Sequence, residues 1–171
     1  MKMKTTEQKG FTLLEIVVCI VIVTIMTVVV GRGLVEMTSG YIFARKNAMI
    51  AQQGQIAMTR LKKEFSHNIT SVISATATSI QFVRISDASI HTISWAGGSS
   101  PLLWDNSDTL IGESIAPVTS FNLNYYNSYS SSSSTYSPST SIIEISLQLS
   151  GAENTSIQLI DRVNLWLATG A

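Results

Sequence analysis

The sequence predicts an α+β protein, in which a long N-terminal helical spine, transmembrane in its first half, packs on a C-terminal antiparallel β-sheet. Two observations predict this class. Residues 11–31 form an almost uninterrupted apolar run, which is long enough to cross a bilayer as a helix. From about Thr76 the apolar period changes to the alternation that is typical of half-buried strands.

Composition narrows the range of functions. The chain of 171 residues is long enough for one domain plus an extension. Its net charge is zero and only 13% of its residues are charged, so no nucleic-acid surface is predicted. Cys19 is the only cysteine, which excludes an intrachain disulfide and argues against a cysteine-based metal site.

The apolar run has a basic leader and one internal charge. Lys2, Lys4 and Lys9 precede the run, which predicts a cytoplasmic N-terminus and a periplasmic C-terminal domain. A cleavable secretory signal would need a shorter apolar core and a small-residue cleavage site. An uncleaved signal anchor explains the length and the lysines but leaves Glu15 unexplained, unless Glu15 simply extends to the membrane interface.

The residues Gly10-Phe11-Thr12-Leu13-Leu14-Glu15, between a basic leader and a spanning run, resemble the prepilin cleavage and methylation motif. That motif is typical of type IV pilins and type II secretion pseudopilins. The resemblance implies that a membrane aspartyl peptidase cuts between Gly10 and Phe11 and that the new Phe11 amine is methylated. Residues 1–10 would then be the leader, and 11–31 the transmembrane and filament-core helix.

The position of Glu15 also has a physical rationale. Cleavage would create an ammonium group at Phe11 in apolar surroundings, one helical turn before Glu15. A buried carboxylate and a buried ammonium are each unfavourable alone and offset one another when paired. In a filament the amine would belong to a neighbouring subunit, so Glu15 would set the register between helices, as a polar residue does in a coiled-coil seam.

Beyond the membrane run, the helical pattern continues over residues 32–74 as a periplasmic amphipathic helix. Apolar side chains recur at alternating three- and four-residue steps from Leu34 to Val72. Arg60 and Glu64 are spaced as an ion pair and are predicted on the solvated side.

Residues 75–171 are predicted to form the sheet domain, because several short segments alternate apolar and polar side chains. Strands are predicted at 78–85, 90–95, 118–126, 141–149 and 156–167, with a hairpin loop at 150–156. The Ser-rich segment 127–141 has no packing periodicity and is predicted to be a flexible, solvated loop.

Two further segments, "TRLKKEFSHNI" and "PLLWDNSDTLIGESIAPVTSFNLNYYN", resemble the larger minor subunits of the same systems. These are J-type pseudopilins, W-type minor pilins and a minor pilin of the mannose-sensitive haemagglutinin system. The resemblance implies a pilin-like fold and a structural subunit of the inner membrane that later enters a pseudopilus or surface pilus. Its implied partners are other major and minor pilins or pseudopilins, the prepilin peptidase and the inner-membrane assembly platform.

No set of residues predicts catalysis or a cofactor, so the chain is not expected to be an enzyme. His67 and His91 lack partners at ligand spacing, and no nucleophile elbow or phosphate loop is present. Asp105 and Asp108 are weak calcium candidates, since some related pseudopilins bind calcium, but a plain turn is favoured there. The alternative function is a membrane-tethered periplasmic binding domain with no filament role.

Overall fold

The computed structural model describes residues 10–105, 107–112 and 116–165, and the chain divides into two compact units, residues 1–42 and 43–171. One helix, α1 (Leu13–His67), begins in the first unit and ends in the second. In the described part of the chain, α1 is the one helix long and apolar enough to cross a membrane.

The second unit contains two antiparallel sheets. The first sheet has five strands in the order β1-β2-β3-β4-β5, and the second has three in the order β6-β7-β8. The strands are β1 (Ile69–Ala75), β2 (Ser79–Arg84), β3 (Ile90–Trp95), β4 (Leu102–Trp104), β5 (Asp108–Ile111), β6 (Val118–Tyr126), β7 (Ile142–Ser150) and β8 (Ser156–Asn164). A short 3₁₀ turn, Ala152–Asn154, connects β7 and β8.

The last part of α1 packs against both sheets of this unit. Its buried residues are Ile50, Gly54, Ala57, Met58, Leu61, Glu64 and Phe65. The Phe65 ring meets the Phe82 ring of β2 edge to face, with 6.2 Å between centroids. A Cβ atom on Gly54 would lie 2.7 Å from the terminal carbons of Leu149 and Leu159, so glycine lets the helix approach β7 and β8 closely. The α+β, pilin-like class is therefore confirmed.

The predicted extent of the second helical segment, 32–74, is wrong at its C-terminal end. The helix stops at His67, and residues 69–75 form β1, which pairs with β2 through contacts such as Val72 with Phe82. The segment Ile69-Thr70-Ser71-Val72-Ile73 is rich in β-branched residues, which lose side-chain freedom in a helix and fit a strand.

Two other predictions are corrected. Glu64 does not form a solvated pair with Arg60. It is buried and accepts a hydrogen bond from the Asn68 amide at 3.0 Å, whereas the Arg60 guanidinium lies 4.8 Å from the centre of the Trp104 ring.

The second half of the Ser-rich segment is exposed along much of its length, but it contacts the sheet domain at several positions, which the prediction of a solvated loop did not include. The Ser134 N–H donates to the Tyr125 carbonyl at 2.9 Å, and the Tyr136 ring packs edge to face on Tyr125. Thr140, near the end of the segment, is buried. A local reading of composition misses these contacts because the partner strand is β6, earlier in the chain.

Candidate functional site: the N-terminal segment

Gly10 and Phe11 precede the helix and are exposed, with 78% of the Phe11 side chain accessible. A Cβ atom built on Gly10 would meet none of the described residues within 4 Å. The two residues that share this peptide bond are therefore exposed and lie outside the helix. Helix α1 starts two residues after Phe11, at Leu13.

Thr12 caps the helix. Its Oγ1 accepts a hydrogen bond from the Glu15 N–H at 3.3 Å, and its carbonyl oxygen accepts from the N–H groups of Glu15 and Ile16 at 3.0 and 3.3 Å. Thr12 is thus the N-cap and Glu15 the third helical residue. Thr12 was not predicted to be a cap, although Thr-x-x-Glu before an apolar run is the signature of a capping box.

Glu15 also lies in the first helical turn, where a carboxylate interacts favourably with the helix dipole. It is exposed, like its neighbours, and it is the only charged residue between Lys9 and Arg32. The structure therefore gives Glu15 a local role in the helix start, while its carboxylate remains on the surface and accessible to another molecule.

The rest of this surface is apolar. Large side chains from Phe11 to Val35 are about half to four-fifths exposed, among them Leu13 at 82% and Val21 at 50%. The hydroxyls of Thr24 and Thr27 donate to helix carbonyls three or four residues earlier, at 2.8–2.9 Å. Because those hydroxyls are already bonded to the helix backbone, the exposed Glu15 carboxylate is the group on this surface best placed to bind another molecule.

The weak calcium candidates lie on the five-stranded sheet. Asp105, directly after β4, accepts the Thr92 N–H at 2.8 Å with one carboxylate oxygen, and its other oxygen lies 2.6 Å from His91 Nδ1. Asp108 is exposed at the start of β5. Among the described residues, no group of three or more His, Cys, Asp or Glu side chains is arranged to hold a metal ion.

Comparison with known proteins yields one match. Residues 6–31 match the family model described as the prokaryotic N-terminal methylation motif. No curated protein and no solved structure matches the chain.

The matched segment contains the whole helix start described above. The chain therefore carries the N-terminal signature of type IV pilin and pseudopilin precursors, on a pilin-like α+β fold. The motif implies processing by a prepilin peptidase and assembly with other pilins, and it points to a structural subunit rather than an enzyme. The apolar helix fits the single-pass anchor that is typical of pilins.

Proposed function

We propose that this protein is a minor pilin or pseudopilin, which primes or caps assembly of a type IV pilus or a type II secretion pseudopilus. The observation that carries the proposal is the methylation motif at residues 6–31, with Glu15 as the one charge in the apolar segment. A membrane anchor needs no such charge. A charged side chain in a spanning helix is energetically costly, so its presence indicates a function.

In the proposed pathway the precursor enters the inner membrane with its N-terminus in the cytoplasm and residues 43–171 in the periplasm. The peptidase removes residues 1–10 and the Phe11 amine is methylated. Phe11 and the exposed apolar side chains of α1 then leave the bilayer and pack against helices of neighbouring subunits, which keeps their apolar surface away from water. The Glu15 carboxylate pairs with the N-terminal amine of a neighbour and sets the axial register.

A minor rather than a major subunit is supported by two sequence features. Many major pilins carry a C-terminal disulfide loop, and the single cysteine here excludes one. The segments around Arg60–Ile69 and Phe121–Tyr125 resemble the larger minor subunits.

The processing step is tested by intact-mass measurement of the protein purified from cells with and without an active prepilin peptidase. The expected product begins at Phe11 and carries one methyl group. Gly10→Val is the matched variant: a side chain at Gly10 would touch none of the residues that the structure describes, so lost cleavage reflects the peptidase rather than misfolding. A chain that keeps residues 1–10 in the presence of the peptidase supports the alternative, a tethered binding domain.

The assembly role of Glu15 is tested separately from cleavage. Glu15→Ala is expected to be cleaved much as the wild type but to be lost from purified filaments, because the amine of a neighbour no longer finds a carboxylate. Glu36→Ala, which removes another exposed acid from α1, is the control and is expected to be incorporated normally. Normal incorporation of Glu15→Ala would contradict the register mechanism.

A further inference from the structure

His91 lies buried between two carboxylates of the five-stranded sheet. It is on β3 and is 9% exposed, with its ring packed against Phe82 and Trp104 at centroid distances of 6.2 and 5.4 Å. Its Nδ1 atom is 2.6 Å from Asp105 Oδ2, and its Nε2 atom is 3.1 Å from Asp87 Oδ2. One imidazole ring therefore connects the β2–β3 turn (residues 85–89) to the residue that follows β4.

A neutral imidazole ring cannot donate a hydrogen bond to both carboxylates. A carboxylate only accepts hydrogen bonds, and a neutral imidazole carries a single N–H. Only the imidazolium ion donates to Asp87 and Asp105 at once. In the neutral form, one ring nitrogen directs its lone pair at a carboxylate oxygen, which is repulsive.

Both segments that His91 joins contain a residue with left-handed backbone. Ala88 in the turn and Asp105 after β4 each have φ of +54°, which is uncommon for residues other than glycine. Asp87 accepts the Ser89 N–H at 3.1 Å, and Asp105 N–H donates to the Thr92 carbonyl at 2.7 Å. These conformations are thus held by hydrogen bonds in which the partners of His91 take part.

The charged groups near the ring belong to α1, β2, the β2–β3 turn and the residue after β4. Asp87 and Asp105 favour the imidazolium, whereas Arg84 of β2, which binds Asp87, opposes it. From α1, Glu64 acts on Arg84, and Arg60 covers Trp104. Burial alone lowers the pKa of His91, but the bonds to Asp105 and Asp87 outweigh burial and raise it above the ordinary value.

We propose that His91 is a proton-dependent bridge that ties the β2–β3 turn to the end of β4 when protonated and releases the turn when deprotonated. On deprotonation the proton leaves Nε2 for solvent, because the shorter contact to Asp105 retains the proton on Nδ1. Nε2 then presents a lone pair to Asp87, which turns away with Arg84. Residues 85–89, which begin with the exposed Ile85 and are followed by the exposed Ile90, change conformation, so this face of the sheet responds to the pH outside the cytoplasmic membrane.

The test is an NMR titration of the full-length protein in detergent micelles from pH 5 to 9. The His91 ring resonance and the amides of Asp87, Ala88 and Ser89 are expected to shift with one common midpoint. That midpoint is expected to lie at higher pH than that of histidine in the urea-unfolded chain. His67→Gln leaves His91 as the only histidine and is expected to leave these curves unchanged.

Two variants separate the bridge from a general effect of pH. Asp87→Asn is expected to lower the His91 midpoint and to remove the coupled shifts of Ala88 and Ser89. His91→Asn is expected to abolish the shifts of the turn amides over this range. Turn amides that stay constant while the His91 ring titrates, or a His91 midpoint that Asp87→Asn leaves unchanged, would overturn the proposal.

Discussion

The Tyr125 hydroxyl of β6 donates a hydrogen bond to the Thr76 carbonyl at 2.8 Å, and this bond joins the two sheets. The Leu123 N–H donates to the neighbouring Ala77 carbonyl at 2.7 Å, so β6 is tied to the β1–β2 turn at two points. Burial, with a contribution from Tyr136, raises the pKa of Tyr125, so the phenol remains a donor throughout the physiological pH range.

Tyr125→Phe is expected to destabilise the protein by about 1 kcal/mol, the usual net value of one neutral hydrogen bond. The ring is retained, and the Thr76 residue is exposed, so water can replace the lost donor and the effect is not larger. Urea unfolding followed by tryptophan fluorescence, to which the buried Trp104 contributes, measures the change. Tyr129→Phe removes an exposed hydroxyl and serves as the control; an equal effect of both variants would contradict a specific role for Tyr125.

Asn47 connects α1 to the β7–β8 turn. Its Oδ1 accepts the Ala152 N–H at 2.8 Å, and a Cβ atom on Gly151 would lie 2.5 Å from the same oxygen. Asn47→Ala is expected to destabilise by about 1 kcal/mol, because the half-buried N–H loses its partner. Gln52→Ala, on the exposed side of the same helix, is the control in urea unfolding.

The same contact predicts coupling between two substitutions. Gly151→Ala is expected to destabilise the wild type more than it destabilises the Asn47→Ala variant, since the clashing oxygen is absent from the latter. A part of the effect is expected to remain, because the Thr155 carbonyl oxygen is 3.0 Å from the added carbon. A double-mutant cycle with no coupling would show that the two residues act independently.

Gly54→Val tests the close approach of α1 to the three-stranded sheet. A branched side chain there must displace Leu149 and Leu159, and overpacking of this kind costs about 1–3 kcal/mol. Gly40→Val is the control, because a Cβ atom at Gly40 comes within 4 Å of no atom in the described part of the chain. Thermal unfolding by circular dichroism compares the two; a Gly54→Val protein as stable as the control would contradict the packing described for this helix.

Glu144 is expected to control stability in acid. Its carboxylate, only 15% exposed, receives hydrogen bonds from Arg162 at 2.6 Å, Asn124 at 3.0 Å and Tyr126 at 3.2 Å. Burial alone raises the pKa of Glu144, but the bonds from Arg162 and Asn124 outweigh burial and lower it. The stabilisation is therefore present above the unfolded-state pKa and is lost as pH falls through the lower folded-state value.

Glu144→Gln is accordingly expected to reduce stability by about 1–2 kcal/mol at pH 7 and to flatten the decline of stability below about pH 4.5. Glu153→Gln, at an exposed acid in the β7–β8 turn, is the control. Urea unfolding at pH 7, 5, 4 and 3 measures both variants. If Glu144→Gln followed the wild-type pH dependence, the decline would have to arise from other carboxylates.

What the sequence alone determined was local in origin. The apolar run and its one charge depend on neighbours within a few residues, so the methylation motif was recognised from the sequence. The Thr12 cap is equally local and could have been predicted from its Thr-x-x-Glu spacing, but it was not. The five strands with clear alternation were predicted close to their observed bounds, because in each the side chains of one face are more buried than those of the other. The end of the last predicted strand, residues 166–167, lies outside the described residues. The short strands β4 and β5 show little alternation and were not predicted; β4 pairs with β3 and β5, and β5 pairs with β4.

Tertiary structure decided the features that depend on distant partners. Residues 69–75 continue the helical spacing of apolar residues, yet they form β1 because β2 supplies the hydrogen bonds and Phe82 the packing surface. Glu64 is buried near the start of β1, where the side-chain amide of Asn68 donates a hydrogen bond to its carboxylate. The bridge at His91 needs carboxylates 4 and 14 residues away in sequence, which only the pairing of three strands brings to the two sides of one ring.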